Sequence, residues 1–141
     1  MINLTTRYLG LDLKNPVIVS SSGLTDSVDK IIKLEKAGAG AVVLKSLFEE
    51  QINFEAGRYV ENGMYPEAHD YITGYTKTNA VEEYLQLIEG SKKSVAIPVI
   101  ASINCTSAYD WHYFARKIEE AGADALELNV YVLPCSGQHE P

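Results

Sequence analysis

Two stretches of the chain repeat one another and together constrain how it can fold. Residues 36–45 read Lys-Ala-Gly-Ala-Gly-Ala-Val-Val-Leu-Lys, and residues 120–129 read Glu-Ala-Gly-Ala-Asp-Ala-Leu-Glu-Leu-Asn. Each stretch passes from the end of an amphipathic segment through a glycine, which suits the left-handed position after a helix, into a short apolar run. A helix that returns directly into a buried strand is the repeating element of a parallel sheet. The chain is therefore predicted to contain βα units of one kind.

The remaining segments fit the same alternation of strand and helix. Residues 2–13 are typical of a β-hairpin that turns near Gly10 and could close the bottom of a barrel. A cap at Asp26 or Ser27 opens the first predicted helix, and a cap at Asn79 opens the second. The predicted strands cover residues 16–20, 41–45, 98–103 and 125–129, and the predicted helices cover 28–37, 80–91 and 109–121. The fold class is α/β, with four parallel strands, three helices and an amino-terminal hairpin.

Two segments fall outside this pattern. Residues 47–78 separate the second strand from the third and are rich in tyrosine, which favours a lid-like functional loop over a disordered insertion. Residues 130–141 end without an apolar period and are interpreted as a frayed or artificial tail. We therefore expect one partial barrel domain over residues 1–141, with its βα units at 16–129.

Charge and composition exclude several classes of protein. The chain has 19 acidic and 12 basic residues among 141, a net charge of -7, and its basic residues are scattered, which argues against nucleic-acid binding. No apolar run reaches the roughly 18 to 20 residues of a membrane span, and no signal peptide precedes the hairpin. The 2 cysteines and 3 histidines favour neither a disulfide framework nor a metal site. A cytoplasmic protein is expected.

Polar residues cluster where the predicted strands end. Ligands bind at the carboxyl ends of strands in such architectures, because the loops leave the sheet there. Strand alternation predicts that Lys45 and Asn129 point inward in equivalent places, and that Glu127 is a buried partner for a cation such as Lys45. The candidate binding residues at the four strand ends are Ser22, Gly23, Lys45, Ser46, Ser102, Asn104 and Asn129.

Four stretches of the sequence resemble the dihydroorotate dehydrogenase family. They are Asn-Pro-Val-Ile-Val-Ser-Ser-Ser-Gly at 15–23, Ala-Gly-Ala-Val-Val-Leu-Lys-Ser at 39–46, Val-Ile-Ala-Ser-Ile-Asn-Cys at 99–105 and Gly-Ala-Asp-Ala-Leu-Glu-Leu-Asn at 122–129. The last two are especially similar to the pyrimidine-reducing domain of dihydropyrimidine dehydrogenase. The resemblance implies a (β/α)8 TIM barrel that holds FMN at its carboxyl face, with a pyrimidine-like ring stacked on the flavin.

The resemblance also implies roles for individual residues. Lys45 matches the lysine that stabilises negative charge on the flavin, and Asn129 matches the asparagine that bridges flavin and substrate. Ser22, Gly23 and Ser46 match flavin contacts, as do Ser102 and Asn104, although which of the last two reaches the ring stays open. The implied reaction is hydride transfer between a dihydropyrimidine-type ring and flavin N5.

Two departures from the family pattern affect these roles. Val132 occupies the position of the catalytic base and cannot carry a proton, so the base is unknown; Cys135 could replace it only in a re-routed loop and is otherwise an inert thiol. The substrate-binding Asn-Ser-Met-Gly of many members appears as Thr-Gly-Tyr-Thr from Thr73 onward. Thr73 is the corresponding candidate for substrate binding, and orotate as substrate is in doubt.

The length of the chain is the remaining constraint. A complete barrel needs about 250 residues, and the expected phosphate site on the last two strands is absent from this sequence. We therefore expect the amino-terminal half of a barrel, truncated, inactive alone and weak or lacking in FMN binding. Its open edges and inner face predict a homo-oligomer. The alternatives are a non-catalytic half-barrel fragment that persists by self-association, and an unrelated phosphate-binding barrel.

Overall fold

The amino terminus forms the predicted hairpin. The computed structural model describes residues 2–48, 67–104 and 108–130, without the side chains of 67–77 and 108–110. Strands β1 (Thr6–Tyr8) and β2 (Leu11–Leu13) pair antiparallel, with Tyr8 opposite Leu11. Leu9 and Gly10 between them both have positive φ, 52° and 80°, as in the two-residue turns whose twist matches that of a hairpin. The predicted hairpin and its turn near Gly10 are confirmed.

Within the described residues, five short strands form one parallel sheet. They are β3 (Ile18–Val19), β4 (Ala41–Val43), β5 (Leu47–Phe48), β6 (Val99–Asn104) and β7 (Ala125–Leu128). Strands β4 and β5 pair in succession with one side of β6, and β7 pairs with its other side. β4 and β5 are thus two halves of one interrupted strand, and the sheet has the four parallel strands that the sequence predicts, in chain order from β3 to β7.

Three helices lie between the strands in the part of the chain that the structure describes. They are α1 (Val28–Lys36), α2 (Glu67–Ser94) and α3 (Ala108–Glu120). Ser27 is the N-cap of α1, although its side chain makes no capping hydrogen bond. Helices α1 and α3 end at Gly38 and Gly122, whose φ angles of 105° and 88° require the left-handed conformation that glycine adopts without strain. None of the helices within the described residues is long and apolar enough to cross a membrane.

Helix α2 begins earlier than the sequence predicts. It starts at Glu67, so the carboxyl-terminal part of the predicted loop 47–78, including Thr73, is helical. Asn79 lies inside the helix and does not cap it; its Nδ2 donates to Glu83 Oε1 at 2.9 Å, one turn later. The sequence pattern missed this part because the helix as a whole is only weakly amphipathic, so no apolar face marked its beginning. Residues 49–66 of the same prediction lie outside the described part.

The helices cover one face of the sheet. The core contains side chains from β4, β6 and all three helices, including Val42, Leu44, Ile31, Ile88 and Phe114, each 2% exposed or less. The other face carries Val43, Ile100 and Glu127, and with the hairpin residues Tyr8 and Leu9 it lines a cavity of about 400 Å³. Val43 and Glu127 therefore face the side of the sheet that the helices leave uncovered.

Candidate functional site at the carboxyl ends of the strands

The second strand of the sheet contains a β-bulge at the edge where polar residues gather. Val43 pairs with Ile100, and the next paired position on the same side of β6 is Leu47 with Ile103. Residues 44–46 therefore face only Ala101 and Ser102, one residue fewer. An extra residue resets the alternation of side chains beyond it. Ser46 takes the inward position that strict alternation assigns to Lys45.

The loop after β3 holds the bulge in place. Lys45 N donates to the carbonyl oxygen of Thr25 at 3.2 Å, and Ser46 N donates to Ser21 Oγ at 2.9 Å. Thr25 is fully buried, and its hydroxyl donates to Ser22 O at 3.1 Å. The bulged residues thus replace their lost pairing to β6 with hydrogen bonds to the loop that carries Ser22 and Gly23.

Tyr84 of α2 fills the gap that the bulge leaves beside β6. Ser102 N donates to the Tyr84 hydroxyl at 2.8 Å, and the same hydroxyl donates to Ser102 O at 3.0 Å. In an uninterrupted parallel ladder both groups would bond to the neighbouring strand. Burial raises the pKa of Tyr84, so the hydroxyl keeps the proton that it donates. One phenol therefore satisfies two main-chain groups that would otherwise be buried without partners.

Side chains from three strands meet in front of this gap. Ser46 Oγ lies 2.7 Å from Ser102 Oγ and accepts from Asn129 Nδ2 at 3.3 Å, and Ser102 Oγ donates to Glu127 Oε1 at 2.6 Å. Asn104 Nδ2 donates to Asn129 O at 2.6 Å. Ser102 and Asn104 are 0% and 5% exposed, which is unusual for polar residues and shows that the network is built into the sheet. This network is the candidate site.

The structure brings together four of the predicted site residues, namely Ser46, Ser102, Asn104 and Asn129. Lys45 lies beside them with an exposed side chain and makes no hydrogen bond to this group. Ser22 and Gly23 shape the preceding loop: Ser22 Oγ accepts from Leu24 N, and Gly23 O accepts from Lys30 Nζ at 2.8 Å. The side chain of Thr73 and the whole of Cys135 lie outside the described part of the chain.

Four residues at the site differ from the sequence prediction. Glu127 was expected to be a buried partner of a cation such as Lys45, but its carboxylate accepts from Ser102 and its side chain is exposed. A hydrogen bond from Lys30 chiefly holds the pKa of Asp26 below its ordinary value, and the positive charge of Lys45 makes the smallest contribution, after a hydrogen bond with Ser27. Tyr84 was not predicted to belong to the site, because nothing in its helical sequence shows that its hydroxyl reaches a strand. Ser21 was not predicted to belong to the site either, because it is one of three consecutive serines, and the sequence does not show which of them contacts Ser46.

Within residues 2–48, 67–104 and 108–130, no group of three or more histidine, cysteine or acidic side chains is arranged to hold a metal ion. The candidate site itself is built from amides, hydroxyls and one carboxylate. Such groups bind a ligand by hydrogen bonds to its edges.

Comparison with known proteins adds a family to this geometry. A family model described as dihydroorotate dehydrogenase matches residues 3–135. The catalytic subunit of dihydroorotate dehydrogenase B (NAD(+)) from Thermoplasma acidophilum is 31% identical over 132 residues, which are 92% of this chain and 42% of that protein. The NAD-dependent dihydropyrimidine dehydrogenase subunit PreA of Escherichia coli is 27% identical over 139 residues, or 90% of this chain and 32% of that protein. The chain thus spans less than half the length of these curated relatives.

A solved structure supports the fold independently. The crystal structure of an IMP dehydrogenase/GMP reductase-like protein from Corynebacterium glutamicum superposes with a TM-score of 0.52 and 15% sequence identity, over 99% of this chain and 38% of the other. That neighbour is of the TIM-barrel type. At this level of identity the likeness concerns the fold alone, and it agrees with a parallel sheet whose strands follow one another in chain order.

Proposed function

Because the chain belongs to the dihydroorotate dehydrogenase family, we propose that its strand ends form one side of an FMN site in an oxidoreductase that acts on a dihydropyrimidine-type ring. The observation that carries this proposal is the network of Ser46, Ser102, Asn104 and Asn129 at the carboxyl ends of the strands. The family suggests which ligand binds, and the network contains the hydrogen-bonding groups that would bind it.

The chemistry of these residues fits the ring end of a flavin. That edge presents amide-like N–H donors and carbonyl acceptors, so a binding site needs both kinds of group. Asn104 and Asn129 each use Nδ2 in the network, and among the described residues neither Oδ1 accepts a hydrogen bond. These two oxygens and the remaining N–H groups can pair with a planar ring that lies against the carboxyl ends of the strands.

The role proposed for Lys45 is electrostatic. FMN, if bound here, would supply the hydride chemistry, and Lys45 would stabilise the negative charge of its reduced state. Lys45 directly precedes Ser46 at the bulge, and its exposed ammonium group has freedom to approach a ligand there. The substrates proposed are pyrimidine-like, in line with both kinds of relative, and neither dihydroorotate nor another dihydropyrimidine is preferred.

The catalytic base stays open in this proposal. Val132, at the family's base position, and Cys135 both follow the described residues. A base must lie on the opposite side of the substrate ring from the flavin. Replacement of Cys135 by serine in a complete barrel separates the alternatives, since a large loss of turnover identifies a displaced base and no loss identifies an inert thiol.

Titration with FMN tests the proposed site. We expect weak, saturable quenching of flavin fluorescence by the 141-residue chain, because these contacts reach only the ring end and the phosphate partners expected of the family are absent from this sequence. Asn129→Ala should weaken binding. Asn79→Ala is the matched control, since that amide bonds to Glu83 on the surface of α2. Equal effects of the two variants, or stoichiometric flavin in the purified protein, would contradict these expectations.

Flavin reduction tests the proposed role of Lys45. In a complete barrel that holds the flavin in place, Lys45→Ala should slow flavin reduction by about 10² to 10³-fold, the usual loss when one group that stabilises the developing charge is removed. Stopped-flow absorbance with dihydropyrimidine substrates measures the rate. Lys33→Ala is the control, because the Lys33 side chain on α1 is exposed. An unchanged rate in Lys45→Ala would remove the residue from the proposed mechanism.

We also propose a cytoplasmic homo-oligomer. Strands β3 and β7 are the edges of the sheet within the described residues, and β7 ends in Leu128, which is 56% exposed. Unpaired strand edges and exposed apolar groups favour association between copies. Light scattering after size exclusion measures the mass, and a stable monomer of 15.5 kDa would contradict the proposal.

A further inference from the structure

A continuous chain of side-chain hydrogen bonds runs across the carboxyl ends of the strands and ends at a carboxylate. Ser21 Oγ lies 2.9 Å from Ser46 Oγ, which lies 2.7 Å from Ser102 Oγ. Ser102 Oγ in turn donates to Glu127 Oε1 at 2.6 Å. These four residues, here named the hydroxyl chain, link the loop after β3 to the bulge, to β6 and to the edge strand β7.

The carboxylate determines the direction of every bond in the hydroxyl chain. An ionised carboxylate only accepts hydrogen bonds, so Ser102 must donate its single hydroxyl proton to Glu127. Ser102 Oγ can then only accept from Ser46, which spends its own proton on that bond. Ser46 Oγ must therefore accept from its other neighbours. The proton of each hydroxyl points toward Glu127.

This direction fixes the orientation of the Asn129 amide. Because Ser46 Oγ has no proton left to give, the group that approaches it at 3.3 Å has to be the Nδ2 donor of Asn129. The carbonyl Oδ1 then lies on the opposite side of the amide and accepts no hydrogen bond from the described residues. A reversed chain would favour the flipped amide, with Oδ1 bound to Ser46 and Nδ2 free.

We propose that Glu127 is a positioning residue, whose carboxylate acts through Ser102 and Ser46 to make Asn129 present its Oδ1 to the ligand. Nothing in this role requires Glu127 to touch the ligand. The orientation suits a ring that offers an N–H group at its edge. The identity of that ligand as a flavin or pyrimidine rests on the proposed function, whereas the orientation of Asn129 does not.

The competing interpretation is direct electrostatic action of Glu127. Its carboxylate is exposed on the inner face and lines the cavity beside Ile100. A negative charge there can influence a ligand or a nearby amide through space. Removal of Ser102 distinguishes the two, because it cuts the hydroxyl chain and leaves the charge in place.

The side-chain amide signal of Asn129 in an NMR spectrum of ligand-free protein provides the first test. Glu127→Gln is nearly isosteric, but its amide can both donate and accept, so the direction of the hydroxyl chain is no longer imposed. We expect the Asn129 signal, identified by its loss in Asn129→Asp, to shift or broaden in Glu127→Gln and in Ser102→Ala. In the double variant, Glu127→Gln should add nothing to the effect of Ser102→Ala. The Asn79 side-chain signal, remote on α2, is the internal control.

Two results would overturn the inference. One is an Asn129 signal that does not move in Glu127→Gln although the variant is folded by circular dichroism. The other is an effect of Glu127→Gln that persists at full size in the Ser102→Ala background, which identifies direct action. Glu127 is exposed on a strand that is an edge among the described residues, so Glu127→Gln leaves the core intact, and Ser102→Ala removes only one buried hydroxyl.

FMN titration of the same variants tests the consequence for binding. Loss of one oriented acceptor should weaken FMN binding about 3- to 10-fold in Glu127→Gln, with no further loss when Ser102→Ala is already present. If the wild-type protein does not bind FMN but the NMR result holds, the proposed ligand is wrong and the positioning role stands. If FMN binds and the Asn129 signal is insensitive to Glu127→Gln, the proposed function stands and the positioning role fails.

Discussion

The two repeats, residues 36–45 and 120–129, share one turn. After α1, Gly38 N bonds to Glu35 O and Ala39 N to Leu34 O; after α3, Gly122 N bonds to Glu119 O and Ala123 N to Ile118 O. Corresponding atoms make corresponding hydrogen bonds in both. A helix end followed by Ala-Gly-Ala thus carries its structure within a few neighbouring residues, independent of where in the sheet it lies.

After the shared turn, the structures of the two repeats first differ at the residue before each strand, Gly40 in one and Asp124 in the other. Gly40 leaves no room for a side chain, since a Cβ there would collide with the main-chain oxygen of Asn15. The corresponding Asp124 has space, and its carboxylate accepts from Val99 N at 2.7 Å and from Lys92 Nζ. The first repeat is therefore tied to the sheet by close backbone approach, and the second by a charged side chain.

They differ again where the strands end. The second repeat runs straight to Asn129, whose N–H still bonds to Ile103 O, whereas the first breaks at residues 44–46 and presents Ser46. This comparison teaches that a repeated sequence specifies its turn locally, while the end of each strand depends on what the neighbouring elements supply. In the first repeat those elements are the loop at Thr25 and the phenol of Tyr84.

The largest expected effect comes from Tyr84→Phe, because only the first repeat depends on that hydroxyl. Removing it leaves the buried N–H and carbonyl of Ser102 without partners and should lower the free energy of unfolding by about 2 to 4 kcal/mol. Urea denaturation followed by circular dichroism measures the change. Tyr113→Phe is the control, because the Tyr113 side chain on α3 is exposed, and it should change stability by less than about 0.5 kcal/mol. Equal losses in both variants would contradict the role assigned to Tyr84.

The sequence predicted the parts of the molecule that local patterns determine. The hairpin turn at Gly10, the parallel strands and both glycine turns follow from residue types and spacing over a few positions. The bulge could not be predicted, since the run from Val43 to Ser46 contains no glycine or proline to mark it and the interruption depends on partners from other elements. The start of α2 at Glu67 was missed because no apolar face marks it.

Prediction of the candidate site was limited in the same way. Residue types at the strand ends identified Ser102, Asn104 and Asn129 as a group, since all parallel strands end at one edge. The hydroxyl chain was not predictable, because it requires Ser46 and not Lys45 to face Ser102, which only the register of β5 establishes. The prediction that Glu127 pairs with a cation such as Lys45 was wrong for the same reason.

The shared turn predicts equal effects in the two repeats. Gly38→Ala and Gly122→Ala force alanine into the left-handed conformation, and in neither case would the added Cβ meet an atom within 4 Å. Each should therefore cost about 1 to 2 kcal/mol, from backbone strain alone. Thermal and urea unfolding of both variants test this. A difference larger than either effect would show that the two turns are not equivalent.

Deleting Lys45 tests whether the bulge is a removable insertion. Without it, Leu44 and Ser46 would stand opposite Ala101 and Ser102, and the second strand would pair with β6 in one ladder. We expect a folded protein whose loss of stability is smaller than that of Tyr84→Phe. Deletion of Glu127 is the counterpart in the straight repeat and should reverse the direction of Leu128 and Asn129. Unfolding of the Lys45 deletion, measured by circular dichroism, would contradict this description.

The smallest effect is expected at Asp26, on the loop beside the first repeat. A hydrogen bond from Lys30 chiefly lowers the pKa of Asp26, so the folded state favours the ionised carboxylate. The resulting stabilisation is present above the ordinary value of about 3.9 and is lost as pH falls through the lower folded-state pKa. Because the pair is exposed, wild type should melt only slightly above Asp26→Asn at pH 7. Melting curves at lower pH should converge; a difference that grows on acidification would reverse the sign.

The hydrogen bonds between the Tyr84 hydroxyl and Ser102 also allow two motions to be measured separately, detachment of α2 from the sheet and separation of the strands. Amide protons in a sheet usually exchange with solvent deuterium when a neighbouring strand detaches, and those in one strand then exchange together. The Ser102 amide is held by Tyr84 of α2, so its exchange should follow the departure of that helix from the sheet. Its exchange rate, set beside that of Ile100 in the same strand, would measure how often α2 lifts while the strands stay paired.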